Sequence, residues 1–254
     1  MEPQKPPDNA PSYYDSSLYR RLIIRPVAQR IAPLLVALGF TGNGVCWVKL
    51  AVGLAGAYLL IYTQISVCLL GVLLLQFNFL LDAADGVVAR LTGNAGKLSG
   101  EYFDKLCDHL PKTAMYFCWG YGTYLLTQQP VALFCGFFFA AWNIYPRFCG
   151  VETLLERLDK MPEVQQNPAF HTAVADSFVT VKQRGVADYW LTVFVHPAVN
   201  ALTIAYILEL IRPELVVANF TISTRYFLLL VYTLIGLLNF LRKSLRFFRM
   251  LRFP

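Results

Sequence analysis

The chain has 254 residues, 56% of them hydrophobic and only 15% charged, a balance too apolar for an ordinary soluble domain. It reads as an integral membrane protein. Its formal charge of +6 is not a nucleic-acid signature, because the basic residues lie in segments such as YRRLIIR and LRKSLRFFRMLR that flank apolar runs, where anionic lipid headgroups are the expected partner.

Residues 1–42 open with the polar, proline-bearing MEPQKPPDNAPSYYDSS, read as a disordered tail, because it lacks the basic and apolar regions of a signal peptide. In SSLYRRLIIRPVAQRIAPLLVALGF, arginines alternate with Leu, Ile and Val at helical spacing. An interfacial amphipathic helix on the cytoplasmic leaflet is expected there, tilted or broken by Pro26. The plainer reading is a juxtamembrane linker.

A span takes about 20 mostly apolar residues. Six stretches qualify, 43–63, 66–89, 100–127, 129–149, 187–211 and 218–241. The expected fold is therefore all-α: a six-transmembrane-helix bundle over 43–242, followed by a basic tail at 243–254. The turns TQIS and TQQP carry no charge, whereas most Lys and Arg lie on the other side, so both termini and the intervening acidic segment are expected in the cytoplasm. Only Arg212 and Arg225 fall on the far side. The 150–186 connection holds VETLLERLDKM, a short amphipathic helix that is either a lid or simple covering.

The second and third stretches are peculiar. Each is apolar at one end and carries two aspartates at the other: Asp82 and Asp85, then Asp104 and Asp108. Spacings of i, i+3 and i, i+4 put each pair on one helix face, about 4.5 to 6 Å apart along the axis. The linking segment from Leu91 to Gly100 lets the two helices return antiparallel, so the pairs face each other. A charge at mid-bilayer costs at least about 2.5 kcal/mol, and four like charges in one gap need compensation. Divalent cations supply it. An all-oxygen donor set suits Mg²⁺, Mn²⁺ or Ca²⁺, and four carboxylates suffice for two ions that share their open positions with phosphate. Ala83, Ala84, Gly86, Ala89 and Gly100 leave room, and Arg90 offers a fork for a phosphate oxygen.

The pattern Asp82-x2-Asp85-Gly86-x2-Ala89-Arg90-x9-Gly100-x3-Asp104-x3-Asp108 resembles the signature of the CDP-alcohol phosphatidyltransferase family, with all eight named positions matched. It departs in the nine-residue gap after Arg90, where eight is commoner. Upstream, Thr41 to Val45, TGNGV, is similar to the family's TPN-x-V segment, with Gly42 in place of proline. The resemblance implies a homodimeric membrane enzyme that uses two Mg²⁺ or Mn²⁺ ions to transfer a phosphatidyl group from CDP-diacylglycerol to a polar alcohol, with release of CMP. It implies Asp82, Asp85, Asp104 and Asp108 as metal ligands and Asp108 as general base. Gly86, Ala89, Arg90, Gly100 and Asn43 would then surround the CDP moiety.

A phosphorylated acceptor such as inositol phosphate or glycerol phosphate would meet Lys97, Lys105, Lys112 or Arg147. Equally, these are interfacial basic residues of the ordinary kind. Two alternatives stand beside this reading: the same chemistry with a CDP-linked headgroup given to a lipid or glycan, and an ion or solute transporter with an acidic intramembrane site. The remaining features carry less. The six cysteines show neither zinc nor disulfide spacing, and His109 points away from Asp108's face.

Overall fold

The computed structural model describes residues 19–93, 98–148, 198–217 and 220–250. They are predominantly helical. A π-helical turn, Arg20–Ile24, runs straight into α1, Arg25–Ala37. Pro26 sits in the first turn of α1, and the Arg25 N–H donates five residues back to the Arg20 carbonyl. This wider turn accommodates the proline ring, so of the tilt or break expected at Pro26 the break does not occur. The break comes later, at Gly39, whose φ of +83° allows a Schellman closure: Gly39 N–H donates to Val36 O at 2.9 Å and Phe40 N–H to Leu35 O at 3.0 Å. Beyond it the chain turns by 114° into α2, Gly42–Leu59. Thr41 caps α2 by accepting from the Gly44 N–H at 3.2 Å.

There follow α3, Ile65–Leu91; α4, Leu98–Thr127; α5, Pro130–Phe148; α6, Ala198–Ile211; and α7, Thr224–Met250. The first four expected spans coincide with α2 to α5 to within a few residues. The expected fifth overlaps α6, its beginning at 187–197 lying outside the described residues together with the 150–186 connection. The sixth starts differently. Its first residues form a hairpin strand, β2, Phe220–Ser223, paired antiparallel with β1, Glu214–Val217, in the register Glu214↔Ser223 to Val217↔Phe220. Both strands are rich in β-branched residues, which favour a pleated ribbon over a helix start. Among the described residues α3 alone is long and apolar enough to cross a membrane unaided, while α1 and α2 pass only together, as one bent pair.

α2 packs on α3 and α4, α4 pairs with α5, α6 leans on α3, and α7 touches α4, α5 and α6. Small residues set the closest crossings. A Cβ on Gly56 would stand 2.9 Å from the Gly71 carbonyl of α3, and one on Gly120 would stand 2.6 Å from Gly136 Cα of α5. Leu60, Cys68, Trp119, Leu202, Tyr206 and Leu229 fill the centre. Leu70, Leu73, Phe134, Phe137, Leu234 and Leu238 point outward and are exposed.

Arg225 does not lie at an open far-side surface. It is fully buried, with Nε and Nη2 each 2.8 Å from the two carboxylate oxygens of Glu209 on α6. Its guanidinium also donates to the Tyr62 and Thr63 carbonyls after α2, at 3.2 and 3.4 Å. One side chain thereby ties α7 to α6 and to the loop between α2 and α3.

Candidate metal centre

Asp82 and Asp85 lie near the C-terminal end of α3, Asp104 and Asp108 in the first half of α4, and the two helices bring all four carboxylates to one place. What they converge on is Lys49 of α2. Its Nζ is 2.7 Å from Asp85 Oδ2, 2.6 Å from Asp104 Oδ1, 2.7 Å from Asp108 Oδ1 and 3.3 Å from Asp82 Oδ1. Lys49 is entirely buried. Side-chain exposure of the acids climbs from 8% at Asp85 through 11% at Asp82 and 24% at Asp108 to 44% at Asp104, so the cluster has a dry floor and a wet mouth.

The sequence reading did not include Lys49. The signal was present: a lone lysine inside an apolar stretch requires a partner, just as lone acids do. Two further residues join the site. Cys46 Sγ, one turn before Lys49, lies 3.8 Å from Asp85 Oδ2 and 3.7 Å from Asp104 Oδ1. Arg20 reaches Asp82 Oδ2 at 3.3 Å while its guanidinium stands 5.5 Å over the Phe79 ring. Tyr19 beside it stacks on Phe79 and donates to Gln76 Oε1 at 3.0 Å. The start of the N-terminal helix is thus fastened to α3 alongside the acids.

The chain matches no protein-family model and no curated protein.

Among the described residues, two groups of side chains have ligand atoms mutually within 4.8 Å: Asp82, Asp104 and Asp108, and Cys46, Asp85 and Asp104. The first is all oxygen and suits a hard cation; the second adds a soft thiol. The Lys49 ammonium already holds the position between all four carboxylates, and the oxygen donors of Asp82, Asp104 and Asp108 are of the kind that divalent ions such as Mg²⁺ or Mn²⁺ take.

The other expected residues are distributed around this cluster. Gly86 donates its N–H to Asp85 Oδ1 at 2.6 Å and has open space on its Cβ side, where only Arg90 Nη1 comes within 3.7 Å. Arg90 is exposed and makes no ion pair among the described residues. Ala89 is occupied otherwise, since a Cβ on Gly42 would stand 2.9 Å from the Ala89 Cβ. Gly42 therefore lets the start of α2 close onto α3. Asn43 is exposed at the start of α2, and Lys105 is exposed beside Asp104. Gly100 lies in the first turn of α4 and Arg147 near the end of α5, but their surroundings fall outside the described residues, as does Lys97 altogether. Lys112 approaches Asp108 Oδ2 at 3.8 Å. His109 is buried, and its backbone carbonyl accepts from Asn143 Nδ2 of α5 at 3.3 Å.

Proposed function

We propose that the protein is a membrane-embedded, divalent-metal-dependent CDP-alcohol phosphotransferase that passes a phosphatidyl group from CDP-diacylglycerol to the hydroxyl of a polar acceptor. The observation that carries this reading is the convergence of Asp82, Asp85, Asp104 and Asp108 on one cation position, by the very residues whose spacing resembles the family signature. Six spans, cytoplasmic termini and a homodimer belong to the same proposal. The exposed Leu and Phe side chains on α3, α5 and α7 support a lipid-facing surface, because a soluble monomer rarely leaves so many uncovered.

Asp82, Asp104 and Asp108 would hold the metal, with Asp85 completing the donor set. When bound, Mg²⁺ or Mn²⁺ polarises the phosphoryl oxygens and neutralises charge on the departing CMP. The chain's own residues do the rest. Asp108 accepts the proton of the acceptor hydroxyl as the new P–O bond forms and the bond to CMP breaks. Its partial exposure, 24% of the side chain, suits that role, since the hydroxyl must reach the carboxylate from the wet side. Arg90, exposed next to the clear face of Gly86, clamps a phosphate oxygen of the donor. Asn43 and Gly100 border the cytidine, and Lys97, Lys105 and Arg147 meet a phosphorylated acceptor.

The test is CMP release from CDP-diacylglycerol by the purified protein, with a panel of labelled acceptors. Release should vanish in EDTA and return with Mg²⁺ or Mn²⁺. Metal-independent release, or none with any acceptor and with CDP-linked headgroups tried as donors, overturns the proposal.

A further inference from the structure

Resting on the metal-centre reading above, we propose that Lys49 is a built-in cation of this centre, so that the chain takes one divalent ion where four carboxylates alone would take two.

The geometry of Lys49 is that of an occupant, not a neighbour. An ammonium has three hydrogens, and here its nitrogen lies at 2.6 to 2.7 Å from three carboxylates, with the fourth at 3.3 Å, so its donors are fully engaged. It also has nowhere to withdraw. Lys49 is wholly buried, its carbonyl accepts from Asn78 Nδ2 of α3 at 2.7 Å, and one turn further Gly53 is pressed against Asn78 and Pro111, each within 2.6 Å of a Cβ placed there. A helical side chain leans toward the N-terminus, which aims Lys49 at Cys46 and the dry floor beside Asp85.

Charge leads to the same count. Four carboxylates are balanced by two divalent ions. In this chain Lys49 supplies one positive charge permanently and Arg20, at 3.3 Å from Asp82, supplies a second, while Lys112, 3.8 Å from Asp108 Oδ2 and well exposed, is screened by water and offsets little of the buried charge. What remains is the charge of a single divalent ion. A second one would leave an excess of positive charge at a site partly removed from water, an arrangement disfavoured in a poor dielectric. The position left for the single ion is the Asp82, Asp104 and Asp108 group, which is all oxygen and lies toward the wet mouth.

The experiment counts ions. The full chain is purified in detergent, stripped with chelator and titrated with Mn²⁺ alone, and bound metal is measured by equilibrium dialysis with electron paramagnetic resonance. Wild type is expected to bind one Mn²⁺ per chain, with the spectrum of an isolated ion. Lys49→Met is expected to bind two, with the spectrum of a spin-coupled pair, and Lys49→Arg, which keeps the charge, is expected to stay at one. Two coupled ions in wild type overturn the inference and leave the metal-centre reading standing. So does a single ion in folded Lys49→Met. No bound Mn²⁺ in any of the three proteins overturns the metal centre itself and the Lys49 assignment with it. The wild-type count needs no variant, so the inference stays exposed to refutation even where Lys49→Met does not fold.

Discussion

Lys49 Nζ and Asp85 Oδ2 lie 2.7 Å apart across the α2–α3 contact, the lysine fully buried and the carboxylate nearly so. This pair forms the dry floor of the acidic cluster. Removing one partner of a buried ion pair strands the other, at a typical cost of about 3 to 5 kcal/mol. Lys49→Met in EDTA should therefore unfold at a clearly lower temperature than wild type, by an amount equivalent to about that energy. Saturating Mn²⁺ should recover much of the loss, because a ligand that binds only the folded state stabilises it. Thermal unfolding in detergent, with and without metal, measures both. Equal midpoints for the two proteins in EDTA would show that the ammonium is not compensating the acids.

Asp108 is set apart from the other three by what it is asked to do. Asp108→Asn retains size and hydrogen-bonding atoms and keeps a contact with Lys49, so its unfolding midpoint should stay close to wild type. CMP release should fall at least about 100-fold, the lower range of what a general base contributes. Asp82→Asn should differ in kind: it raises the Mn²⁺ concentration needed for half-maximal rate but keeps most of the rate once metal saturates, whereas Asp108→Asn, a ligand as well as the base, stays slow at saturating metal. A metal titration of the rate in both variants separates them; a shift in metal requirement with full maximal rate in Asp108→Asn would remove it from the base role.

The two acidic pairs were legible in the sequence because helical periodicity converts i, i+3 and i, i+4 directly into shared faces. Their facing partner was not, since Lys49 precedes Asp82 by 33 residues and Asp108 by 59, and nothing local to α2 tells which face meets α3 and α4. Glu209 and Arg225 were hidden for the same reason: sequence shows a basic residue near a span end, and only packing shows it paired. The hairpin before α7 was missed because an apolar run such as VVANFTIS fits a span start as well as a strand. Of the tilt or break expected at Pro26, the break does not occur, because the π-helical turn that absorbs the proline depends on the carbonyls of the preceding turn rather than on the proline itself.

Arg225 and Glu209 should reveal themselves as a structural lock. Arg225→Met leaves a buried carboxylate and frees the Tyr62 and Thr63 carbonyls, so a loss of about 3 to 5 kcal/mol is expected. The double variant Arg225→Met, Glu209→Met should be substantially more stable than Arg225→Met alone, because no uncompensated charge remains. Neither change should alter the metal requirement of the protein that stays folded, as the pair belongs to the end of α2 opposite to the acids. Additive losses in the double variant would mean that the two side chains act independently.

Gly42 and Ala89 make a sharper test of how the site is positioned. A Cβ on Gly42 would meet the Ala89 Cβ at 2.9 Å, closer than two methyl groups tolerate, so α2 and α3 must part there if a side chain is added. Ala89 lies one turn beyond Asp85 on the same face of α3, and displacement at Ala89 is therefore transmitted to the carboxylate that meets Lys49. Gly42→Ala should cost about 1 to 3 kcal/mol, as overpacking does, and weaken Mn²⁺ binding as well. Adding Ala89→Gly removes the clash from the other side and should restore both properties, beyond what the helix penalty of a new glycine, about 1 kcal/mol, takes away. The double-mutant cycle reads this coupling directly. Should Gly42→Ala instead be neutral and Ala89→Gly fail to interact with it, the start of α2 is not held against α3 at this point, and Gly42 has no part in setting the site.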